Sequence, residues 1–340
     1  LSSQNQFKQK VAVIGSGPAG MAASAYLIQN GYQVDVYEKN DRAGGLMIYG
    51  IPNFKLDKKI VERRTEWLTD SGVVFNLNSE VGKNISFQDL EKDYDAILIA
   101  TGVYKARQLD IDTSTVNNSI PALDFLIESN RTGLGDSPSK NKYLTAKDKH
   151  VVVIGGGDTA MDCVRTAIRQ QAKEVTCLYR RNKENMPGSA REVLNAEQEG
   201  IKFNWLSVPS KIISDSATAT SMTYKVATLG EVDESGRRKP IDTGVEKQIK
   251  SDLIIQALGF EPEDLNHNFK TNIELTSWKT VKVDFKKFQT SNPKIFAAGD
   301  IVRGASLVVW AIHDGREVAK SIHNFLQSSK IKKASWKTIH

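Results

Sequence analysis

Three glycines, one acid and a pair of arginines carry the chemistry this sequence is equipped for. Gly15, Gly17 and Gly20 stand in G-x-G-x-x-G spacing within KVAVIGSGPAG. Glu38 follows at about the offset, roughly 20 residues, expected of a ribose-binding acid. A glycine at the first position permits the tight turn out of a strand. One at the second lets a pyrophosphate approach the backbone, and one at the third lets the next helix pack close. Pro18 and Ala19 stand between the second and third glycines. The helix that follows points its N–H groups and its positive dipole end at the same pyrophosphate. The Glu38 carboxylate is suited to accept both ribose hydroxyls.

The pattern occurs twice. HVVVIGGGDTA places Gly155, Gly157 and Ala160 in the three positions, with Asp158 and Thr159 between them; alanine is an accepted third member. Two such sites imply two nucleotides. The second differs where the first has its acid: Tyr179 aligns with Glu38, and Arg180 and Arg181 follow. Removing a carboxylate and adding two guanidiniums suits a 2′-phosphate, and so NADPH rather than NADH.

The elements that must position these residues read as two βαβ plans. In the first, strands at 11–14 and 34–37 flank a helix at 21–30; in the second, strands at 151–154 and 175–179 flank a helix at 161–171. Apolar runs bounded by turn residues, YDAILIATG, SDLIIQALG and KIFAAGD, look like buried parallel strands. Residues 111–149 turn polar and read as connections around one helix at 122–129. Residues 214–242 alternate polar and apolar and suggest a hairpin. The expected fold class is α/β, with two Rossmann-like three-layer dinucleotide-binding domains. The second is inserted into a discontinuous first: residues 1–110, then a connection at 111–144, the inserted domain at 145–259, and the rest of the first domain at 260–340.

Composition narrows the class. The chain has 340 residues, 40% hydrophobic and 25% charged, with net charge +6, ordinary for a soluble globular protein. No run is apolar enough to span a bilayer, and the polar start is unlike a secretory signal. The basic residues are spread out except at 330–337, which reads as a solvated end, so neither nucleic acid nor membrane is an expected partner. The two cysteines, Cys163 and Cys177, form no C-x-x-C motif and are too few for an iron–sulfur cluster. A reducing compartment, the cytoplasm, fits. The first residue is Leu rather than Met, so an upstream segment is expected to be missing or removed.

The order of motifs resembles the two-dinucleotide-binding flavoprotein family of thioredoxin and glutathione reductases, the pyridine nucleotide-disulfide oxidoreductases. Four stretches are more specific: GGLMIYGIPNFKL (44–56), GGGDTAMDCVRTAIRQ (155–170), YRRNKENMPGSAREV (179–193) and AAGDIVRGASLVVWAIHDGREVA (297–319). Together they resemble the small (β) subunit of bacterial NADPH-dependent glutamate synthase, whose near relatives include the flavin domain of dihydropyrimidine dehydrogenase. That family also carries an N-terminal cysteine-rich domain holding iron–sulfur clusters, which does not match here.

The resemblance implies FAD in the first site and NADPH in the second, with hydride passing from NADPH to FAD. It implies electrons passing onward to a glutamate synthase large (α) subunit. Alternatives are another iron–sulfur or flavin acceptor, such as ferredoxin or a pyrimidine-reducing subunit, or a non-catalytic nucleotide-binding role. Around the flavin it implies Lys39, Gly44, Gly45, Leu46, Ile51 and Val81. At the strand ends it adds Ala100, Thr101, Gly102, Gly259 and Gly299. Asp300 is expected at the ribityl chain, or as a helix cap, and Val308 at the start of a helix facing the flavin. Met186, Pro187 and Gly188 are expected near the nicotinamide nucleotide, and Arg191 as a further phosphate ligand. Hydride transfer between bound cofactors needs no protein acid, base or metal, so none is assigned; Lys55 and His313 are the nearest candidates for involvement.

Overall fold

A computed structural model of the chain describes residues 9–232 and 238–337, with side chains to residue 328. It divides the chain into two compact units. The first comprises Leu1–Ile48, Leu56–Lys105 and Phe260–His340, and the second Tyr49–Lys55 and Ala106–Gly259.

The first unit is built on a parallel five-stranded sheet in the order Ile295–Ala297, Ala96–Ile99, Lys10–Ile14, Gln33–Tyr37, Val74–Asn76. Its central strand is buried on both faces, which is why the segment is a continuous apolar run rather than an alternating one. The helix Pro18–Gln29 begins on Gly17, with proline in its first turn and no side-chain cap. Its small buried residues, Ala19, Ala23 and Ala25, let it lie close to its neighbours. A Cβ at Gly315 would stand 2.3 Å from the Ala19 carbonyl oxygen, so the long helix Val308–Lys337 reaches this contact only as glycine. The basic stretch at 330–337 falls on the last turns of that helix, and its side chains lie outside the described residues.

The second unit repeats the plan: Ser119–Pro121, Leu253–Gln256, His150–Ile154, Glu174–Leu178, Lys202–Asn204, again parallel. The repeat extends to single bonds. Gly15 N–H donates to Tyr37 C=O as Gly155 N–H donates to Leu178 C=O. The Lys10 N–H donates to the Asp95 carboxylate as that of His150 donates to Asp252. Residues 111–144, expected as connections around one helix at 122–129, supply the helix Ala122–Gly133 and also the edge strand Ser119–Pro121. The expected hairpin is a larger antiparallel sheet of Ser207–Asp215, Thr218–Val232 and Arg238–Lys250. Residues 233–237, part of that expectation, lie outside the described residues.

The short segment 49–55 is counted with the second unit for a physical reason. The Lys55 ammonium lies 2.8 Å from the Asp162 carboxylate and 3.3 Å from that of Glu192. Phe54 is covered by the guanidiniums of Arg165 and Arg169, and the Asn130 amide donates to the Tyr49 carbonyl. Burial pushes the Asp162 carboxyl upward, and the Lys55 ammonium opposes that shift.

Candidate cofactor sites

In the first unit the glycine loop is shaped by sterics that can be read atom by atom. Gly15 has φ +101°, and a Cβ there would lie 2.4 Å from the Ala100 carbonyl oxygen; one at Gly20 would lie 2.0 Å from the Gly15 carbonyl oxygen. Both positions are closed by backbone, which cannot move aside. Gly17 differs: a Cβ there would meet nothing within 4 Å. The middle glycine therefore presents bare backbone at the start of the helix, where N–H groups and the helix dipole suit an anion.

Glu38 is 4% exposed and already organised. One carboxylate oxygen accepts from Ser16 N–H at 3.2 Å and Ser16 Oγ at 2.5 Å; the other accepts from Asn40 N–H at 2.8 Å and its side-chain amide at 2.7 Å. Ser16 Oγ also accepts from Gly44 N–H at 3.0 Å. Ser16 thus ties the glycine loop, the acid and the Gly44–Gly45 turn together. A Cβ at Gly45 would lie 2.9 Å from the Gly17 Cα. Neither Ser16 nor Asn40 is expected from the motif, which leaves the x positions open; the one available signal is that a buried acid needs donors.

The other expected residues of the first unit take varied places. Ala100 N–H donates to Ile14 C=O, closing the end of the central strands. Thr101 Oγ1 is buried and, among the described residues, has no hydrogen-bond partner. Leu46 opens a short helix. The Val81 side chain is buried in the core with Phe87 and Phe269, so only its backbone is available to a ligand. Lys39 lies 4.4 Å above the Tyr104 ring and 3.8 Å from Glu263. At Gly299, φ +79°, a Cβ would lie 3.0 Å from the Ala19 Cβ, which sets Asp300 close to the first helix. Burial, aided by Asp314, pushes the Asp300 carboxyl up to about 6, against a backbone hydrogen bond from Ser306. Asp300 opens the helix Asp300–Arg303, and Val308 opens the long helix. His313 is beside Asp314 and edge-on to Trp310. Ile51 and Lys55 belong to the segment counted with the second unit.

In the second unit Gly155, φ +147°, is closed by the Ala257 carbonyl oxygen at 2.2 Å, and Gly157 meets nothing within 4 Å. Gly156 is new. A Cβ there would lie 2.3 Å from the ring of Tyr179, whose hydroxyl donates to the Asn185 carbonyl. Asp158, at the first helical position, accepts from Ser189 N–H at 2.9 Å, and Gly188 N–H donates to Gly156 C=O at 2.9 Å. The Met186–Ser189 loop is therefore held against the glycine turn. Ala160 is fully buried. The two arginines part company. Arg180 is exposed and, among the described residues, unpartnered; Arg181 is buried, and its Nε donates to the Arg238 carbonyl at 2.8 Å. Arg191 is exposed near the start of the helix Ala190–Gln198. Gly259, φ +90°, ends the strand matching that of Gly102.

These features fit two dinucleotides. The first unit offers bare backbone at Gly17 and, in the strand-end turn that faces Gly15, a Thr101 hydroxyl unpartnered among the described residues. The second offers bare backbone at Gly157 and, with Arg180, an exposed guanidinium at the end of the adjacent strand. Among the described residues no cluster of metal-ligating side chains occurs, both cysteines are buried and free, and no helix is long and apolar enough to cross a membrane.

Comparison with known proteins agrees. The family described as pyridine nucleotide-disulphide oxidoreductase matches residues 9–315. The glutamate synthase [NADPH] small chain of Azospirillum brasilense is 50% identical over 94% of this chain and 67% of its own length. The corresponding putative protein of Cereibacter sphaeroides is 52% identical over 94% and 77%. That of Escherichia coli is 43% identical over 96% and 71%. Among solved structures, Mycobacterium tuberculosis FprA in complex with NADPH superposes with TM-score 0.78 at 19% identity, covering 96% of this chain and 86% of that one. Lactococcus lactis thioredoxin reductase gives 0.70 at 22%, covering 94% and 100%. Both share the fold.

Proposed function

The chain belongs to the pyridine nucleotide-disulphide oxidoreductase family, and from that premise we propose that its two cradles work in series as the electron-entry module of a glutamate synthase. It is an NADPH-dependent flavin oxidoreductase. The first unit holds FAD and the second NADPH. The observation carrying this reading is a chemical difference between two cradles of matching plan: Glu38, buried with four donors, against Tyr179 followed by the exposed Arg180.

Bound there, the two groups supply hydride transfer from nicotinamide to flavin. The residues of the chain bind and orient. Gly17 and Gly157 present helix N-termini to the two pyrophosphates. Glu38, fixed by Ser16 and Asn40, receives the adenosine ribose of FAD. Arg180 selects the 2′-phosphate, with Arg191 as a second cation. Asp158 holds the Met186–Ser189 loop in place. No side chain has to move a proton.

Cys163 and Cys177 are both buried and too few for a cluster, so onward one-electron transfer runs through cysteines outside these 340 residues. The acceptor is a large chain that makes glutamate, and the compartment is the cytoplasm, where both thiols stay reduced.

The test is reconstitution with FAD followed by anaerobic addition of NADPH. Bleaching of the flavin absorbance by NADPH, much faster than by NADH, is expected, as is ferricyanide reduction. Glutamate formation is expected only when the large chain and a cysteine-rich segment are both supplied. A flavin that NADPH leaves oxidised would overturn the reading. Turnover with ferredoxin but not with the large chain would reassign the acceptor.

A further inference from the structure

We infer that the Tyr104 hydroxyl is a hydrogen-bond donor to the pyrophosphate of the dinucleotide held in the first unit. The inference rests on the reading of that cradle as the FAD site and adds a residue to it.

Tyr104 lies two residues beyond Gly102, where φ is +71°. A Cβ at Gly102 would stand 3.1 Å from the Tyr104 ring, so the missing side chain lets the ring lie back over the turn. Its hydroxyl reaches the glycine loops: the position a Gly45 Cβ would take is 3.5 Å from the hydroxyl oxygen and 2.9 Å from the Gly17 Cα. The hydroxyl therefore borders the bare backbone at which a pyrophosphate is received, and it makes no hydrogen bond among the described residues. Thr101 Oγ1, in the same turn, is likewise unpartnered and is buried. Polar hydroxyls left without protein partners at one strand end mark a place where a ligand supplies the partner.

The Lys39 ammonium, 3.8 Å from Glu263, lies 4.4 Å over the ring. Burial first, then the carboxylates of Glu38, Asp300 and Glu263, push the Tyr104 phenol upward, so it stays protonated and donates. Those carboxylates also locate it. Glu38 marks the adenosine ribose and Asp300 the ribityl chain, and the ring feels both; what lies between ribose and ribityl in FAD is the pyrophosphate.

The experiment uses Tyr104→Phe, which keeps the ring and removes the hydroxyl, in the full chain freed of flavin. Binding of FAD, ADP and adenosine is measured by calorimetry, alongside the thermal midpoint without ligand. Losing a hydrogen bond to a charged acceptor predicts FAD and ADP weakened together by about tenfold or more. Adenosine affinity and the midpoint should stay unchanged, and the phosphorus NMR signals of bound FAD should shift. Unchanged ADP affinity, equal loss for adenosine, or unshifted phosphorus signals would each overturn the assignment. Failure of the unsubstituted chain to bind FAD would instead overturn the reading of the cradle itself.

Discussion

The two dinucleotide units share strand order, glycine turns and even the bonds that close their strands, yet each fills the space beside its turn differently. In the first, Ser16 sits between the first two glycines of the turn and bonds Glu38. In the second, Gly156 leaves that room to the ring of Tyr179. The residue inside the turn and the residue at the end of the second strand thus change as a pair. A small hydroxyl accompanies a buried acid; no side chain accompanies an aromatic ring with an arginine next to it. On the proposed reading, this pair rather than either position alone sets nucleotide choice.

Crowding the two glycine turns should break each unit. Gly156→Ser forces a side chain into the Tyr179 ring, and Gly20→Ala sets a methyl group against the Gly15 carbonyl. Overpacking of this kind costs about 1–3 kcal/mol or more. We expect Gly20→Ala to lose bound FAD on gel filtration and Gly156→Ser to lose NADPH binding while FAD is retained. Retention of both nucleotides by both variants would break the comparison.

Arg180→Ala should come next. Removing a charge-assisted contact worth about 1.5–3 kcal/mol raises the KM for NADPH by about ten- to a hundredfold and leaves NADH nearly unchanged. Arg181→Ala should instead lower the thermal midpoint, because its guanidinium is buried against the Arg238 carbonyl. Equal effects of the two variants on NADPH would show both arginines on the phosphate.

Asp300 sharpens the contrast through pH. A carboxyl raised to about 6 in the fold from an ordinary 3.8 binds more protons folded than unfolded. Its contribution therefore makes the flavin-free protein lose stability as pH rises from about 4 to 6, by up to roughly 3 kcal/mol. Asp300→Asn should flatten that part of the stability curve in denaturant titrations at pH 4.5 and 7. An unchanged slope would mean the carboxyl is ordinary.

The smallest effect expected is that of Ala160→Gly. It restores the third glycine in the second unit, at a cost of about 1 kcal/mol of helix propensity, with NADPH affinity unchanged.

The glycine turns, the acid and the two-unit plan were legible in the sequence because each rests on a local rule. A tight turn needs Gly15, and a buried parallel strand needs an unbroken apolar run such as VAVI. What was not legible depends on partners distant in the chain. The donors around Glu38 come from a loop position that the motif leaves free. The burial of Arg181 depends on a carbonyl 57 residues away, against the usual exposure of arginine. The short motif containing Lys55 pointed toward the flavin, yet its ammonium serves Asp162, 107 residues on; a buried carboxylate needs a counter-charge, and sequence does not say from where. The sheet at 207–250 was foreseen only as a hairpin, because alternation marks strands but not their length.

The placement of residues 49–55 sets a limit on how this chain can be cut and recombined. The second unit is not one contiguous stretch but 106–259 with a seven-residue visitor from far upstream. A fragment spanning only 106–259 would leave the Asp162 carboxylate without its cation and the Arg165 and Arg169 guanidiniums without the Phe54 ring. Grafting the second unit of a relative onto this first unit therefore means replacing two stretches, with four junctions, and the seven residues must travel with the helix that receives them.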